Sequence, residues 1–177
     1  MAQKRGRRTS VSLSGTTFYL KNVAAGKYID IPGYGSNAST KNGCNVQLWD
    51  MDDGADRKIK FVSKGSGYYN IRLQHANMNL DVHGCFDGKL FCGTYKKDKG
   101  ANIQAWSAGS AKCQQWKLIQ KKPGQFAIKN RYSGKYLDAS ASKINENGCN
   151  VQQWTYHGGD NQLWELVEVG TGRRYQE

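Results

Sequence analysis

Three stretches of this chain repeat one another: GKYIDI leading to NGCNVQLW, MNLDVHG leading to KGANIQAW, and GKYLDA leading to NGCNVQQW. A repeat of this kind constrains architecture before chemistry, because so short a unit cannot bury its own apolar face and must stack against its copies. Leu20, Ile71 and Ile128 hold matching places in TFYLKN, YYNIRL and QFAIKN, 51 and 57 residues apart. The longer step comes from HGCFDGKLFCGTYKKDKG in the middle unit, whose Gly, Lys and Asp mark a lengthened surface loop.

Within a unit the apolar runs are brief and rich in aromatic and β-branched residues: Phe18 and Leu20, then Tyr28 to Ile31, then Val46, Leu48 and Trp49. Gly, Asn, Ser and Asp separate them, which is strand punctuation. No window sustains a helical period, and 21 glycines in 177 residues supply the positive-φ positions of many tight turns. The chain therefore reads as all-β, about a dozen short strands. Its divisions are a basic arm at 1–16, expected to be disordered, one domain at 17–170 with repeats at about 17–67, 68–123 and 124–168, and a tail at 171–177. The arm has no apolar segment of signal-peptide length, and no stretch is long enough to span a bilayer.

The unit G-K-Y-[IL]-D, a Gly/Asn turn, N-[VI]-Q-x-W, a short loop and [NC]-Q-x-W resembles the ricin B-type lectin family over about residues 17 to 168. Gln47-Leu48-Trp49, Gln104-Ala105-Trp106 and Gln152-Gln153-Trp154 are in register, and Gln114-Gln115-Trp116 and Gln162-Leu163-Trp164 follow the second and third. The resemblance implies a β-trefoil that binds glycans or glycoconjugates without catalysis or cofactor, and a toxin or hydrolase as a possible partner.

A sugar ring offers hydroxyls that need converging hydrogen-bond partners and a C–H face that stacks on an aromatic. A minimal site is a carboxylate, an amide and an aromatic around one depression. The third unit supplies Asp138, Gln152, Trp154, Asn161 and Gln162, with His157 in the loop between. By resemblance, Asp138 and Asn161 hydrogen-bond ring hydroxyls, Trp154 is the platform, and Gln162 orients Asp138 or Asn161. His157 falls where some members place a further polar contact, against the alternative of a solvated loop histidine. On this reading Asp138 is an exposed loop carboxylate and the Trp154 ring lies largely in water. A galactose-type sugar is the expected ligand, bound mainly by the third unit.

The other units are weaker candidates. The first keeps Asp30, Gln47 and Trp49, but Asp56 and Arg57 replace the Asn and Gln of the second motif and Ile59 replaces its Trp, so Arg57 is expected to pair with Asp30. The second keeps Asp81, Gln104, Trp106 and Gln114 while Cys113 stands at the Asn place; its long loop could replace the lost group or cover the site. Gln47, Gln104 and Gln152 serve either the sugar or the fold. Trp116 and Trp164, with Leu20, Ile71, Ile128, Val46, Ile103 and Val151, are expected to be core.

The rival readings come from charge and cysteine. Net charge is +12, of which Lys4, Arg5, Arg7 and Arg8 carry four. Such a balance suits nucleic acid, acidic glycans or anionic membranes, but Lys96, Lys97, Lys99, Lys121 and Lys122 read as scattered over loops, a solvated surface rather than a nucleic-acid stripe. Cysteine is odd in number, and Cys44 and Cys149 sit at equivalent places. At most Cys85 and Cys92 are expected to pair, which points to reduced thiols and a cytoplasmic protein or one exported without a classical signal. No nucleophile elbow, HExxH or phosphate loop is present, and the cysteines lack metal spacing. A protein-interaction or inhibitor trefoil would leave the repeated Asp/Trp/Asn-Gln sets unexplained.

Overall fold

The computed structural model describes residues 12–33, 35–84 and 97–177. The basic arm to Val11 and the long-loop cysteines Cys85 and Cys92 lie outside these, as does the question of what that loop adds to the second unit. The described residues form thirteen strands and five short 3-10 turns, with no α-helix. The first unit contributes β1 (Thr17–Asn22), β2 (Tyr28–Asp30), β3 (Cys44–Asn45), β4 (Gln47–Trp49) and β5 (Lys58–Ser63). The second contributes β6 (Tyr69–Leu73), β7 (Met78–Val82), β8 (Ile103–Ser107) and β9 (Gln115–Lys122). The third contributes β10 (Gln125–Asn130), β11 (Tyr136–Ala139), β12 (Cys149–Trp154) and β13 (Trp164–Glu168).

The first and last strand of each unit pair round a closed cycle, β1 to β5, β6, β9, β10, β13 and back to β1, all antiparallel. Closure removes the free edges that an open sheet would expose. The inner strands form three hairpins, β2–β4, β7–β8 and β11–β12, and cover one end of the barrel. This is the β-trefoil: three units, none with a core of its own, enclosing one together. Alternate residues point inward, so Phe18, Leu20, Ile71, Phe126 and Ile128 are fully buried in the barrel, and Val46, Ile103 and Val151 in the cap. Trp116 and Trp164 are core as expected, each indole N–H donating 3.0 Å to a cap carbonyl, Leu80 and Leu137 respectively. Tyr175, in the C-terminal tail, packs its ring against Phe18 and Phe126.

Where the hairpins meet, the asparagines of the three N-[VI]-Q-x-W motifs close a ring. Asn45 Nδ2 donates to Asn150 Oδ1 (3.0 Å), Asn150 Nδ2 to Asn102 Oδ1 (2.9 Å) and Asn102 Nδ2 to Asn45 Oδ1 (2.8 Å). Each unit thus fixes the position of the next. Glycines do the same for the tryptophans: Gly43, Gly100 and Gly148, at φ +87°, +85° and +86°, abut Trp106, Trp154 and Trp49 of a neighbouring unit. A Cβ at Gly100 would stand 3.3 Å from Cζ3 of Trp154, in a backbone conformation that L side chains rarely adopt. No helix of the described residues is long and apolar enough to cross a membrane.

Candidate functional site

The β11–β12 register sets Tyr136 opposite Trp154 and Asp138 opposite Gln152, so these four share one face of the hairpin. Asp138, Gln152, Trp154, His157 and Asn161 line an open depression of about 450 Å³, closed at its rim by Ser140, Ala141 and Ser142. Asp138 is not the exposed loop carboxylate that the sequence suggested. It lies within β11 and is 2% exposed, with Gln152 across the hairpin and Asn161 from the loop after β12 packed on it.

Burying a carboxylate is tolerable only if its oxygens are satisfied. Gln152 Nε2 donates to Oδ1 (2.9 Å) and Asn161 Nδ2 donates to Oδ2 (3.0 Å). Asn161 is itself held by the Ala139 carbonyl at 3.0 Å. His157 Nδ1 accepts from the Gly159 N–H (3.2 Å), which leaves the ring proton on Nε2, 3.6 Å from Asp138 Oδ2. Burial pushes the Asp138 carboxyl above the usual range, and Gln152, Gln162 and His157 oppose that shift by favouring the carboxylate. Gln162 spends its amide on the loop: Nε2 donates to the Thr155 carbonyl (3.0 Å) and Oε1 accepts from the His157 N–H (2.9 Å). It therefore shapes the loop bearing His157 and Asn161, while Gln152 and Asn161 hold Asp138 directly.

Trp154 is half-buried rather than largely in water, with Gly100 against its ring edge and Lys99 Nζ 5.4 Å from its centroid. The arrangement offers an oriented acceptor, two amides and an aromatic face within one depression. A polyol ring with a C–H face meets that set of groups.

In the first unit the expected pairing of Arg57 with Asp30 is present. Arg57 Nη2 lies 3.1 Å from Asp30 Oδ1, and Gln47 Nε2 donates to Oδ2 at 2.6 Å. Arg57 also pairs with Asp52 and Asp56. Asp56, at the Asn161 place, is 2% exposed, and burial together with Asp30 pushes its carboxyl up to about 6. The second unit keeps the Asp81–Gln104 contact (2.9 Å) and a Trp106 that is 39% exposed, as Trp49 is in the first. Gln104 Oε1 is taken by His83 Nδ1 (2.9 Å), and Gln114, like Gln162, ties down its loop through Ser107 and Gly109. Cys113 Sγ sits 3.5 Å from Asp81 Oδ2 in place of an amide.

Cys113 is disulfide-bonded, which corrects the expectation that pairing would be confined to Cys85 and Cys92; Cys44 and Cys149 are free thiols. The charge reading also needs correction. Lys117 on β9 stands directly opposite Lys129 on β10, so part of the basic charge is gathered rather than scattered.

Sequence reasoning passed over the asparagine ring, although Asn45, Asn102 and Asn150 recur in register. It also missed Asn22 and Asn130, whose Nδ2 atoms hold the carbonyls of Asn161 (2.9 Å) and Cys113 (2.8 Å) from the adjoining unit. Both end the strand opening their unit, a coincidence that the repeat displays.

Fold and site together define a β-trefoil with a carboxylate-amide-tryptophan depression in its third unit. The sequence profile described as "Ricin-type beta-trefoil lectin domain-like" matches residues 9–90, 87–154 and 112–176, and the chain belongs to that family. No curated protein matches it in sequence. Among solved structures it is similar to the designed threefold-symmetric protein ThreeFoil, at 32% identity and TM-score 0.75 over 86% of this chain and 99% of that one. It is also similar to part of 1,3Gal43A, an exo-β-1,3-galactanase from Clostridium thermocellum, at 27% identity and TM-score 0.72 over 88% of this chain and 31% of that one. A Macrolepiota procera ricin B-like lectin in complex with lactose shares the fold at 21% identity and TM-score 0.69, over 89% of this chain and 98% of that one.

Proposed function

We propose that this chain is a non-catalytic lectin whose third-unit depression takes a terminal galactose-type sugar. The observation that carries the reading is the Asp138 carboxylate, held by Gln152 and Asn161 beside the Trp154 ring. Its remaining lone pairs accept from vicinal hydroxyls, and the indole covers the C–H face. The choice of a galactose-type sugar rests on the family resemblance and on the likeness to part of a galactanase. Asp138 is the single carboxylate among the lining residues, whereas glycoside hydrolysis ordinarily uses two flanking the scissile bond; this supports binding without cleavage. A hydrolase or toxin is the class of partner such a domain would carry to its glycan.

A glycan array probed with the parent protein and with Asp138→Asn tests the reading. Galactose-terminated glycans should be retained by the parent and lost by the variant. Equal retention by both would remove Asp138 from the site, and a response confined to other sugars would remove the galactose assignment.

A further inference from the structure

One row of side chains crosses four neighbouring strands and ends at the depression. Lys117 on β9 faces Lys129 on β10, Lys129 faces Tyr136 on β11, and Tyr136 faces Trp154 on β12. Three steps at the usual strand spacing make the row roughly 14 Å long. Further cations flank it. The Tyr68 ring carries Arg131 at 4.6 Å and Lys117 at 6.0 Å, and Tyr156, tilted 42° against Tyr136 with ring centroids 4.8 Å apart, carries Lys121 at 4.6 Å. Lys129 lies 5.8 Å from the Tyr136 ring. Lys99, over Trp154, stands at the far end.

Some of the chain's other cations are neutralised by carboxylates. Lys27, Arg57, Lys58, Lys122, Arg173 and Arg174 each have a carboxylate within salt-bridge distance. Among the described residues, no salt bridge involves Lys99, Lys117, Lys121, Lys129 or Arg131; their neighbours are tyrosine and tryptophan rings and, for Arg131, the Gln115 amide at 2.7 Å. Like charges set directly opposite each other weaken a ladder, so the Lys117–Lys129 pair is a standing cost that an incoming anion would relieve.

We propose that this row is a docking surface for an acidic glycan, a sulfated or carboxylated polysaccharide with one neutral sugar in the third-unit depression and its anionic neighbours along Lys129 and Lys117. The glycan assignment rests on the sugar reading of that depression. Single-stranded nucleic acid needs free aromatic faces on which bases stack. Here Tyr68, Tyr136 and Tyr156 each already have a cation beside the ring, and the row leads into a buried carboxylate, which repels phosphate and accepts hydroxyls.

The test compares binding of the whole chain to a sulfated galactan, to the same galactan after desulfation, and to a short single-stranded DNA, between about 50 and about 200 mM salt. The parent should bind the sulfated polymer about tenfold or more tighter than the desulfated one at low salt. Lys117→Gln/Lys129→Gln should abolish most of that difference and lower the log–log salt slope by roughly two, the number of cations removed, while affinity for the desulfated polymer stays unchanged. Sulfated-polymer binding equal in the parent and the double variant would overturn the proposal. So would DNA binding as tight as the sulfated polymer's and lost in the same variant, which would make the row a nucleic-acid surface. Asp138→Asn separates the two readings: it should lose the desulfated polymer, and if it does not, the sugar reading of the depression fails while the lysine variant still decides the row.

Discussion

Asn161 Nδ2 lies 3.0 Å from Asp138 Oδ2, and this contact is what the third unit has and the others lack. The amide turns a buried carboxylate into an oriented acceptor without neutralising it. At the same place the first unit has Asp56, a second carboxyl pressed towards Asp30, and the second unit has the disulfide-bonded Cys113, which has no proton to donate. The three units thus differ at this position in what they set beside the aspartate: an amide, a carboxyl or a disulfide sulfur.

Asp138→Asn should lower affinity for a responsive sugar at least about tenfold with the fold preserved, since the amide can fill the space but accepts fewer bonds. Asp138→Ala is expected to do more damage than an exposed carboxylate would. It strands the Gln152 and Asn161 amides, and an unsatisfied buried donor costs about 1–3 kcal/mol. Urea unfolding of the two variants reads this directly; an alanine variant as stable as the parent would show that the amides find other partners.

Trp154→Ala should cost sugar affinity and only modest stability, because the ring is half-buried and packed on Gly100. Trp164→Ala empties the barrel and removes the indole bond to Leu137, for which about 3–5 kcal/mol is the ordinary cost. Thermal melting beside a fluorescence titration distinguishes them. The reverse pattern would place the platform on the wrong tryptophan.

Asp56 gives the fold a pH dependence whose sign can be worked out. Burial, and then the neighbouring Asp30, push its carboxyl up to about 6 in the folded protein, against an ordinary 3.8. The folded state therefore holds the extra proton between these values, and the contribution of Asp56 to stability falls as pH rises from about 4 to about 6, then levels. Asp56→Asn, which installs the third unit's residue, removes the penalty and should stabilise the protein by roughly 1–3 kcal/mol at pH 7 and by much less below pH 4. Unfolding curves at pH 4, 5, 6 and 7 check it; a constant offset between parent and variant would refute the assignment.

Gly159→Ala should weaken sugar binding without unfolding the chain. A Cβ there would come within 2.6 Å of His157 Cε1 and 2.7 Å of Asn161 Oδ1, so both side chains must move. The Gly159 φ of −70° is one any residue adopts, and no backbone strain is added. Equal affinity with an unchanged melting temperature would mean that neither side chain needs its present place.

The repeat, the strand content and the buried identity of Trp116 and Trp164 could be read from the chain alone, because each depends on local spacing or on a motif copied in register. That Asp138, Gln152, Trp154, His157 and Asn161 come together was legible for the same reason, and so was the Arg57–Asp30 pair, which needed only the substitution and the sign of the charges. Burial of Asp138 was not legible. It depends on Gln152 across the hairpin and on how Asn161, 23 positions away, returns to it. The asparagine ring and the Lys117–Lys129–Tyr136–Trp154 row were also decided by tertiary structure, since closure of the barrel sets which distant strands become neighbours. A side chain's charge and shape are local properties, whereas its solvation and its cross-strand partner belong to the assembled sheet.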